Sequence, residues 1–170
     1  TYIGLIDDPE NQMQYPLVLD LASKGHLSVV GGVTSGKSTM LQSLVYGLVT
    51  GYSPDEVNIY AVDFSSQMLC PFEEDAHVGG VVLEGEDDRL NKLFGMIGSI
   101  LAERKKLVKG GSFGQYVKLH GHKLPAIVLV IDGYANFREK TDNRFEDILL
   151  ELSRSAEGYG IFLVISSAGY

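Results

Sequence analysis

A nine-residue stretch near the start of the chain, GGVTSGKST, has the residue types and the spacing of a phosphate-binding loop. Gly31, Gly36, Lys37 and Ser38 fit the pattern G-x-x-x-x-G-K-[ST]. The glycines let the backbone curl so that its N–H groups point at phosphate oxygens. Lys37 supplies a cation for the outer phosphates, and the Ser38 hydroxyl can ligate Mg²⁺. With ATP and Mg²⁺ as the expected ligands, the predicted nucleotide-binding residues are Gly31, Gly32, Val33, Thr34, Ser35, Gly36, Lys37, Ser38 and Thr39.

The alternative interpretation of this stretch is a glycine turn that only caps a helix. That interpretation leaves the Lys37-Ser38-Thr39 run unexplained. A strand-like run precedes the stretch and a helical pattern follows it, which is the context that a phosphate loop requires. The helix expected to begin near Lys37 also directs the positive end of its dipole at the bound anion. We therefore favour nucleotide binding.

A second acidic position lies at the end of the apolar run AIVLVID. Asp132 at the carboxyl end of a buried strand would lie beside the phosphate loop and hold Mg²⁺, directly or through water. A buried aspartate needs such a partner to offset its desolvation. The alternative is an aspartate that caps a turn with Gly133. Given the phosphate loop, the metal role is favoured.

The residue that follows Asp132 is glycine, where many ATP-hydrolysing motors carry a carboxylate. Hydrolysis needs an oriented water and an acceptor for its proton, and Gly133 has no side chain to supply either. Loss of a general base commonly costs roughly 10² to 10⁴ in rate. The sequence therefore predicts ATP binding with weak or absent turnover by this piece in isolation.

Other residues could replace the missing group, although none has the usual spacing. Glu139 follows seven residues after Asp132, and Asp63 ends another strand that could face the same crevice. Ser166, with Ser167 beside it, ends the last strand and could sense the γ-phosphate through a hydrogen bond. Arg154 precedes that strand and could contact phosphate or a neighbouring subunit, although a simple helix-end charge is the commoner role.

The elements that position these residues alternate between strands and helices. Helical spacing of apolar residues covers residues 37–48, 87–108 and 145–152. The strand-like runs are HLSVVGG, VNIYAVDF, AIVLVID and GIFLVIS. Because these runs are apolar on both faces, the sequence predicts an α/β fold, a three-layer sandwich with a mostly parallel central sheet. The glycine-rich segment 109–123 is expected to be a surface connection, and a mobile loop there is one possibility.

Composition limits the function further. The chain has 170 residues with 45% hydrophobic and 21% charged residues, as expected for one globular domain. Its net charge of −8 argues against a DNA-coating surface, so no nucleic-acid partner is expected. The densest basic run, ERKKLVK, is interpreted as a solvated helix end rather than a binding patch. Cys70 is the single cysteine, which excludes an internal disulfide.

The phosphate loop, the strand ending in VID and the segment GYGIFLVISSA together resemble FtsK/SpoIIIE-type P-loop ATPase domains. The lead-in GLIDDPENQMQYPLVLDL and the segments AVDFSSQML and AHVGGVV narrow the resemblance to the ATPase modules of type VII secretion proteins, the EssC/EccC family. Among these the chain is most similar to a C-terminal module, the third of the EssC type. The resemblance implies a RecA/FtsK-like P-loop fold and matches Lys37, Ser38 and Asp132 to its nucleotide and metal positions.

The resemblance also implies a setting for the domain. Residues 1–170 would be one module of a longer membrane-anchored protein, facing the cytoplasm beside other ATPase modules of the same chain, with a hexamer as the possible assembly. The expected substrates are secreted helical-hairpin proteins of the WXG100 type. A departure is that Ser166-Ser167 stand where DNA-pumping relatives carry Thr-Gln.

Three functional hypotheses follow from these observations. The favoured one is a substrate-docking or regulatory module that binds ATP and hydrolyses it poorly. A fully active translocation motor is the alternative, and a DNA translocase is the least favoured. Any docking surface would take an amphipathic helix through exposed apolar residues. The segment from Leu69 to Val82 is the location favoured for it, because its apolar residues have no obvious core period.

Overall fold

The computed structural model describes residues 2–18, 20–21, 25–110 and 112–168, and only the backbone of residues 2–8 and 15–18. The chain begins with an antiparallel hairpin and continues as an alternation of strands and helices. The strands are β1 (Tyr2–Asp8), β2 (Met13–Val18), β3 (Leu27–Gly31), β4 (Val57–Asp63), β5 (Val78–Leu83), β6 (Ala126–Asp132) and β7 (Ile161–Ala168). The helices are α1 (Lys37–Gly51), α2 (Asp87–Leu107), α3 (Phe113–His120), α4 (Tyr134–Lys140) and α5 (Glu146–Ser155), with short 3₁₀ turns at Cys70–Phe72 and Ala156–Tyr159.

Five of the strands form one parallel sheet in the order β3-β7-β6-β4-β5. The register of β4 and β6 places Asp63 beside Asp132, so both strands end in an aspartate at the same edge. Ile131 lies opposite Ile165 on β7, which brings the following residues, Asp132 and Ser166, to the same edge. Parallel pairing therefore collects residues that are distant in sequence at the carboxyl ends of the strands.

Side chains alternate across this sheet and build two cores. Val128 and Val130 pack with Leu41, Leu44 and other residues of α1 on one face. On the other face, a second core joins the sheet to α2, α4 and α5, and its strand residues include Ile127, Leu129, Ile131, Ile161 and Leu163. The predicted α/β three-layer sandwich is confirmed. In the described part of the chain, no helix is long and apolar enough to cross a membrane.

The segment between β4 and α2 differs from the sequence-based prediction. Val78–Leu83 is a fifth strand at the sheet edge, where no strand was predicted. Its Val81 and Val82 are 1% and 4% exposed, and Leu69 before it is 1% exposed. These side chains belong to the core, so they do not supply the exposed apolar residues expected of a docking surface on Leu69 to Val82. The two glycines in the middle of VGGVVL hide the strand from a periodicity search.

The glycine-rich segment 109–123 also contains more structure than predicted. Phe113–His120 forms the helix α3, although none of its residues is buried. Gly111 lies outside the described residues. The absence of a buried side chain from α3 means that little apolar packing holds this helix to the body of the domain.

The basic run ERKKLVK is not a purely solvated helix end, because Arg104 within it is only 3% exposed. Its guanidinium donates hydrogen bonds to the carbonyl oxygens of Tyr159 (2.9 Å), Gly160 (3.2 Å) and Pro125. It also lies over the ring of Phe113 at 5.3 Å, at the start of α3. Burial lowers the pKa of this guanidinium to about 10. Arg104 thus fixes the loops at the amino edge of the sheet, opposite the edge that carries the two aspartates.

His77, at the entrance to β5, is held between two acceptors. Its Nδ1 lies 2.7 Å from Oδ1 of Asp75, and its Nε2 lies 2.7 Å from the carbonyl oxygen of Tyr52. Only the protonated imidazolium can donate from both nitrogens. Burial acts to lower the pKa of His77, but the hydrogen bonds to Asp75 and Tyr52 outweigh it and the net pKa is raised.

This arrangement predicts a pH-dependent contribution to stability. Because the folded-state pKa of His77 is raised, its contribution is fully present below the unfolded-state pKa of about 6.5 and is lost as pH rises through the folded-state value. We expect His77→Gln to lower the free energy of unfolding by about 2 kcal/mol at pH 5.5, the scale of hydrogen bonds to a charged group. The deficit should shrink at pH 8.5. Urea denaturation at the two pH values measures it.

The exposed His120 offers a matched control, and His120→Gln should leave the free energy of unfolding unchanged at both pH values. A His77→Gln deficit that grew as the pH rose would contradict the imidazolium assignment.

Candidate functional site

A cleft of about 540 Å³ opens at the carboxyl ends of the parallel strands, between the β3–α1 loop and the ends of β4, β6 and β7. It is lined by Val33, Thr34, Ser35, Gly36, Lys37, Ser38, Thr39, Phe64, Ser65, Ser66, Met68, Gly133, Ala135, Asn136, Ser166, Ser167 and Ala168. Seven of the nine predicted nucleotide-binding residues are in this lining. The other two, Gly31 and Gly32, lie at the base of the loop.

The loop residues have the backbone shape that a phosphate cradle needs. Gly36 adopts φ 83° immediately before α1, and Thr34 adopts φ 63°. Left-handed residues of this kind turn successive N–H groups toward one point. The first helix-type hydrogen bond runs from Met40 N to Gly36 O at 2.9 Å. The N–H groups of the first turn of α1 therefore remain to meet an anion.

Lys37 folds back over its own loop. Its Nζ donates to the carbonyl oxygens of Gly31 (2.8 Å) and Gly32 (2.6 Å), and lies 3.5 Å from Oγ of Ser35. The three N–H donors of the ammonium group thus face three oxygen acceptors. A Cβ on Gly31 would lie 2.5 Å from the Ser35 hydroxyl oxygen, so a larger residue there would require the Ser35 side chain to turn away. The three ammonium donors are therefore taken up by the loop itself, and Lys37 would have to exchange at least one of these contacts to bind a phosphate.

Asp132 lies directly behind the wall that Gly133 and Ser166 form, and it is 1% exposed. Its Oδ1 accepts a hydrogen bond from the Ser166 hydroxyl at 2.5 Å. Its Oδ2 is buried and has no hydrogen-bond partner among the described residues. A buried carboxylate oxygen without a partner is costly and uncommon, so a ligand for it is expected.

The residues at this edge fit a magnesium ion. Mg²⁺ in nucleotide sites is commonly held by one or two protein oxygens together with phosphates and water. Asp132 Oδ2 and the Ser38 hydroxyl at the start of α1 would be the protein oxygens. Within the described ranges, no group of three His, Cys, Asp or Glu side chains could hold a metal ion. When bound, Mg²⁺ would neutralise charge on the phosphate oxygens.

Gly133 has a backbone conformation that a side chain opposes. It adopts φ 82° and ψ 49° as the residue before α4. A Cβ added there would lie 2.9 Å from the carbonyl oxygen of Phe64 and 3.1 Å from Cβ of Ser65. Left-handed backbone already costs L-residues about 1–2 kcal/mol. The position therefore cannot take a carboxylate without a local backbone shift.

Asp63, which could have replaced the missing group, is fully occupied with its own loop. Its Oδ1 accepts hydrogen bonds from the N–H groups of Ser65 (3.0 Å) and Gln67 (3.1 Å), and its Oδ2 accepts one from Leu69 (3.2 Å). Asp63 is 2% exposed and is not part of the cleft lining. It organises the loop after β4 and is not placed to accept a proton from water.

Of the other candidate residues, Ser166 lies in the cleft wall, whereas Glu139 and Arg154 do not line the cleft. Ser166 lies in its wall, but the one hydroxyl proton is given to Asp132, and the oxygen accepts from Gly133 N at 3.0 Å. Glu139 is exposed near the end of α4 and does not line the cleft. Arg154 is exposed in the last turn of α5, which leads into the amino end of β7. Arg154 therefore lies toward the opposite sheet edge from the cleft.

Three polar residues of the cleft, Ser65, Ser66 and Asn136, were missed from the sequence. Asn136 enters the lining from the first turn of α4, and its Nδ2 donates to the Phe64 carbonyl at 2.9 Å and to Glu84 Oε2 at 3.2 Å. The signal that could have found Asn136 is its spacing of four residues after Asp132, in the first turn of a helix that was not predicted.

A known protein family and several known proteins match this chain in sequence. The sequence profile of the FtsK/SpoIIIE family matches residues 3–113. The chain is 33% identical over 175 residues to the ESX secretion system protein EccC of Thermomonospora curvata, covering 97% of this chain and 13% of that protein. It is 28% identical over 170 residues to the type VII secretion system protein EssC of Staphylococcus aureus strain MRSA252, covering 98% of this chain and 12% of that one.

The fold is shared with a solved structure of this group, Thermomonospora curvata EccC (ATPases 2 and 3) in complex with a signal sequence peptide. The TM-score is 0.90 at 31% identity, covering 99% of this chain and 32% of that one. The chain thus spans about an eighth of the length of its full-length relatives. Because the matched profile extends over more than half of its residues, the chain belongs to the FtsK/SpoIIIE family. It is a P-loop ATPase-type domain similar to those of the type VII secretion proteins EssC and EccC.

Proposed function

We propose that this domain binds ATP with Mg²⁺ and hydrolyses it poorly on its own, as a docking or regulatory module of a type VII secretion ATPase. The observation that carries the proposal is the left-handed backbone at Gly133, where no side chain fits beside an otherwise complete phosphate-binding cleft. Binding would need the loop, Lys37, Ser38 and Asp132, and the proposal is supported by the first three lining the cleft and by Asp132 lying behind its wall. Hydrolysis needs a proton acceptor, and that position has none.

The residues of the cleft would divide the work of binding as follows. The N–H groups of the loop and Lys37 would hold the phosphates. Ser38 and Asp132 would hold Mg²⁺, and Phe64 and Met68 would supply apolar contact at the wall. None of the side chains in the lining is a carboxylate. A water molecule near the outermost phosphate would thus lack a base strong enough to take its proton.

The relatives supply the proposed setting. EssC and EccC are proteins of the type VII and ESX secretion systems, and both are far longer than this chain. We infer that this domain is one of several ATPase modules of such a chain, the third of an EssC-type protein, on the cytoplasmic side of the membrane. Other modules and further copies, in a hexamer, would then be its assembly partners, and WXG100-type proteins its cargo.

An apolar cleft at the opposite edge of the sheet offers a place for cargo to dock. It has a volume of about 340 Å³, and we call it the α3 cleft; its apolar lining includes Leu48, Val57, Phe113, Val117, Leu124 and Phe162. Charged and ionisable side chains flank it, including Glu56 and His122, whose carboxylate oxygen and ring nitrogen lie 3.5 Å apart. An apolar floor with a charged rim suits an amphipathic helix whose apolar anchor enters the cleft.

Two further observations support a helical peptide as the occupant of the α3 cleft. Helix α3, which forms one wall, buries none of its own residues, so it can adjust to an incoming side chain at little cost in packing. The 31%-identical structure of Thermomonospora curvata EccC contains a signal sequence peptide. The proposed occupant is therefore the export-signal helix of a WXG100-type protein.

Nucleotide binding is tested by calorimetry with ATP and Mg²⁺. We expect the wild-type domain to bind and Lys37→Ala to weaken binding by about 10²-fold, as the loss of a charge-assisted hydrogen bond of up to about 3 kcal/mol implies. Lys106→Ala, at an exposed lysine of α2, is the control and should bind like the wild type. Phosphate release by the wild-type domain at rates typical of motor ATPases, roughly 1–10³ per second, would contradict the impaired turnover.

Restoring the carboxylate should not restore hydrolysis. We expect Gly133→Glu to lower the free energy of unfolding by roughly 1–3 kcal/mol, because the new Cβ meets the Phe64 carbonyl in a left-handed conformation. Steady-state phosphate release should stay at the wild-type level. Gly95→Glu in α2 adds the same charge where a Cβ has open space, and it should keep wild-type stability. A stable Gly133→Glu variant with strongly increased phosphate release would contradict this explanation.

Docking is tested by fluorescence anisotropy with a labelled synthetic peptide carrying the export signal of a WXG100-type protein. Val117→Asp places a charge in the α3 cleft and should weaken peptide binding at least about tenfold, since burying a carboxylate is costly. Leu119→Asp is the matched control, because Leu119 lies two residues along the same helix and is 80% exposed. Equal losses from the two variants, or none from either, would place docking elsewhere.

A further inference from the structure

Ser166 is a buried serine at the edge where strand β7 meets strand β6, and it is 1% exposed. Val128, Val130 and Val164 all pack in the core on the α1 face of the sheet. Because side chains alternate along a strand, Asp132 and Ser166 point to that same face. This is the face on which α1 and the phosphate loop lie. The two side chains therefore meet beneath the loop and not on the far side of the sheet.

The hydrogen bonds of the Ser166 hydroxyl fix its direction. The group has one proton, and that proton goes to Asp132 Oδ1 at 2.5 Å. Its oxygen accepts the N–H of Gly133 at 3.0 Å. The hydroxyl thus joins the side chain of Asp132 to the backbone of the next residue. In this arrangement it has no proton left to donate to a phosphate oxygen.

The hydrogen bond from Ser166 restricts the orientation of the Asp132 carboxylate. One carboxylate oxygen is held by Ser166, so the rotation of the carboxylate is fixed and the other oxygen, Oδ2, is the one left without a partner among the described residues. A carboxylate held at one oxygen presents the other in a defined direction, and partners of this kind orient metal ligands in many sites. Among the described residues that line the cleft, no carboxylate is present to share the task with Asp132 behind the wall.

We infer that Ser166 is a positioning residue for Mg²⁺, which acts through Asp132, and is not a sensor that contacts the γ-phosphate. The inference rests on the proposed binding of Mg²⁺ and ATP. Nucleotide binding without metal would depend on the loop and Lys37, whereas the hydrogen bonds of the Ser166 hydroxyl go to Gly133 and Asp132. Removing the hydroxyl should therefore weaken only the part of the affinity that Mg²⁺ provides.

The test compares ATP affinity by calorimetry in Mg²⁺ and in EDTA, for the wild type, Ser166→Ala and a Ser99→Ala control. Ser99 lies on the exposed face of α2, where its hydroxyl donates to Gly95 O at 3.0 Å. We expect Mg²⁺ to tighten binding by the wild type and by Ser99→Ala. Ser166→Ala should lose roughly tenfold of that Mg²⁺-dependent gain, the lower end of the range for a partner that orients a metal ligand. Its affinity in EDTA should be unchanged.

Thermal denaturation of each variant checks the fold. If Ser166→Ala does not fold, Ser166→Cys supplies the readout, because the thiol is close to the size of the hydroxyl and a weaker donor. The cysteine variant should then show a reduced Mg²⁺ gain. An equal loss of affinity in Mg²⁺ and in EDTA, or a full Mg²⁺ gain in a folded Ser166 variant, would overturn the inference.

Failure of the proposed function gives a different result. A wild-type domain that binds no ATP in either condition contradicts nucleotide binding itself. Binding by the wild type with no gain from Mg²⁺ contradicts the metal role of Asp132, and with it the role of Ser166, while nucleotide binding would stand.

Discussion

The backbone at Phe64 lies close to Gly133, and the side chains that this site can hold depend on that constraint. The Phe64 N–H donates to the carbonyl oxygen of Asp132 at 2.9 Å, which extends the pairing of β4 and β6 by one residue. The Phe64 carbonyl then accepts the Asn136 amide at 2.9 Å. Between these two bonds lies Gly133, in a left-handed conformation without room for a Cβ. The chain beside position 133 thus occupies the space that a carboxylate there would need.

The cause of this approach lies in Asp63. Its two carboxylate oxygens receive three backbone N–H groups from the loop that follows β4. Those bonds hold the first residues of the loop in a tight turn against the end of β6. A residue that the sequence offered as a substitute base thus helps to exclude a base at position 133. The same bonds satisfy a buried carboxylate, which explains how Asp63 can be 2% exposed.

Much of the fold and the loop could be predicted because their signals are local. A phosphate loop is a contiguous sequence pattern. The near-continuous apolar run of β6 predicts a buried strand whatever its register with its neighbours. Strand β5 was missed because two glycines interrupt it, and α4 because seven residues after a glycine give little helical period. The partners of Asp63 and Ser166 could not be predicted, since they depend on which strands are neighbours and on the register between them.

The two proposed sites of the domain lie at opposite ends of the same rigid layer. Helix α1 contributes Lys37 and Ser38 at its start to the nucleotide cleft, and Leu48 near its end to the α3 cleft. The axial rise of about 1.5 Å per residue separates Lys37 and Leu48 by roughly 17 Å. Its inward side chains, from Leu41 to Leu48, are 0–4% exposed and hold the helix against the sheet. A nucleotide and a peptide could therefore bind this domain together without competing for the same atoms.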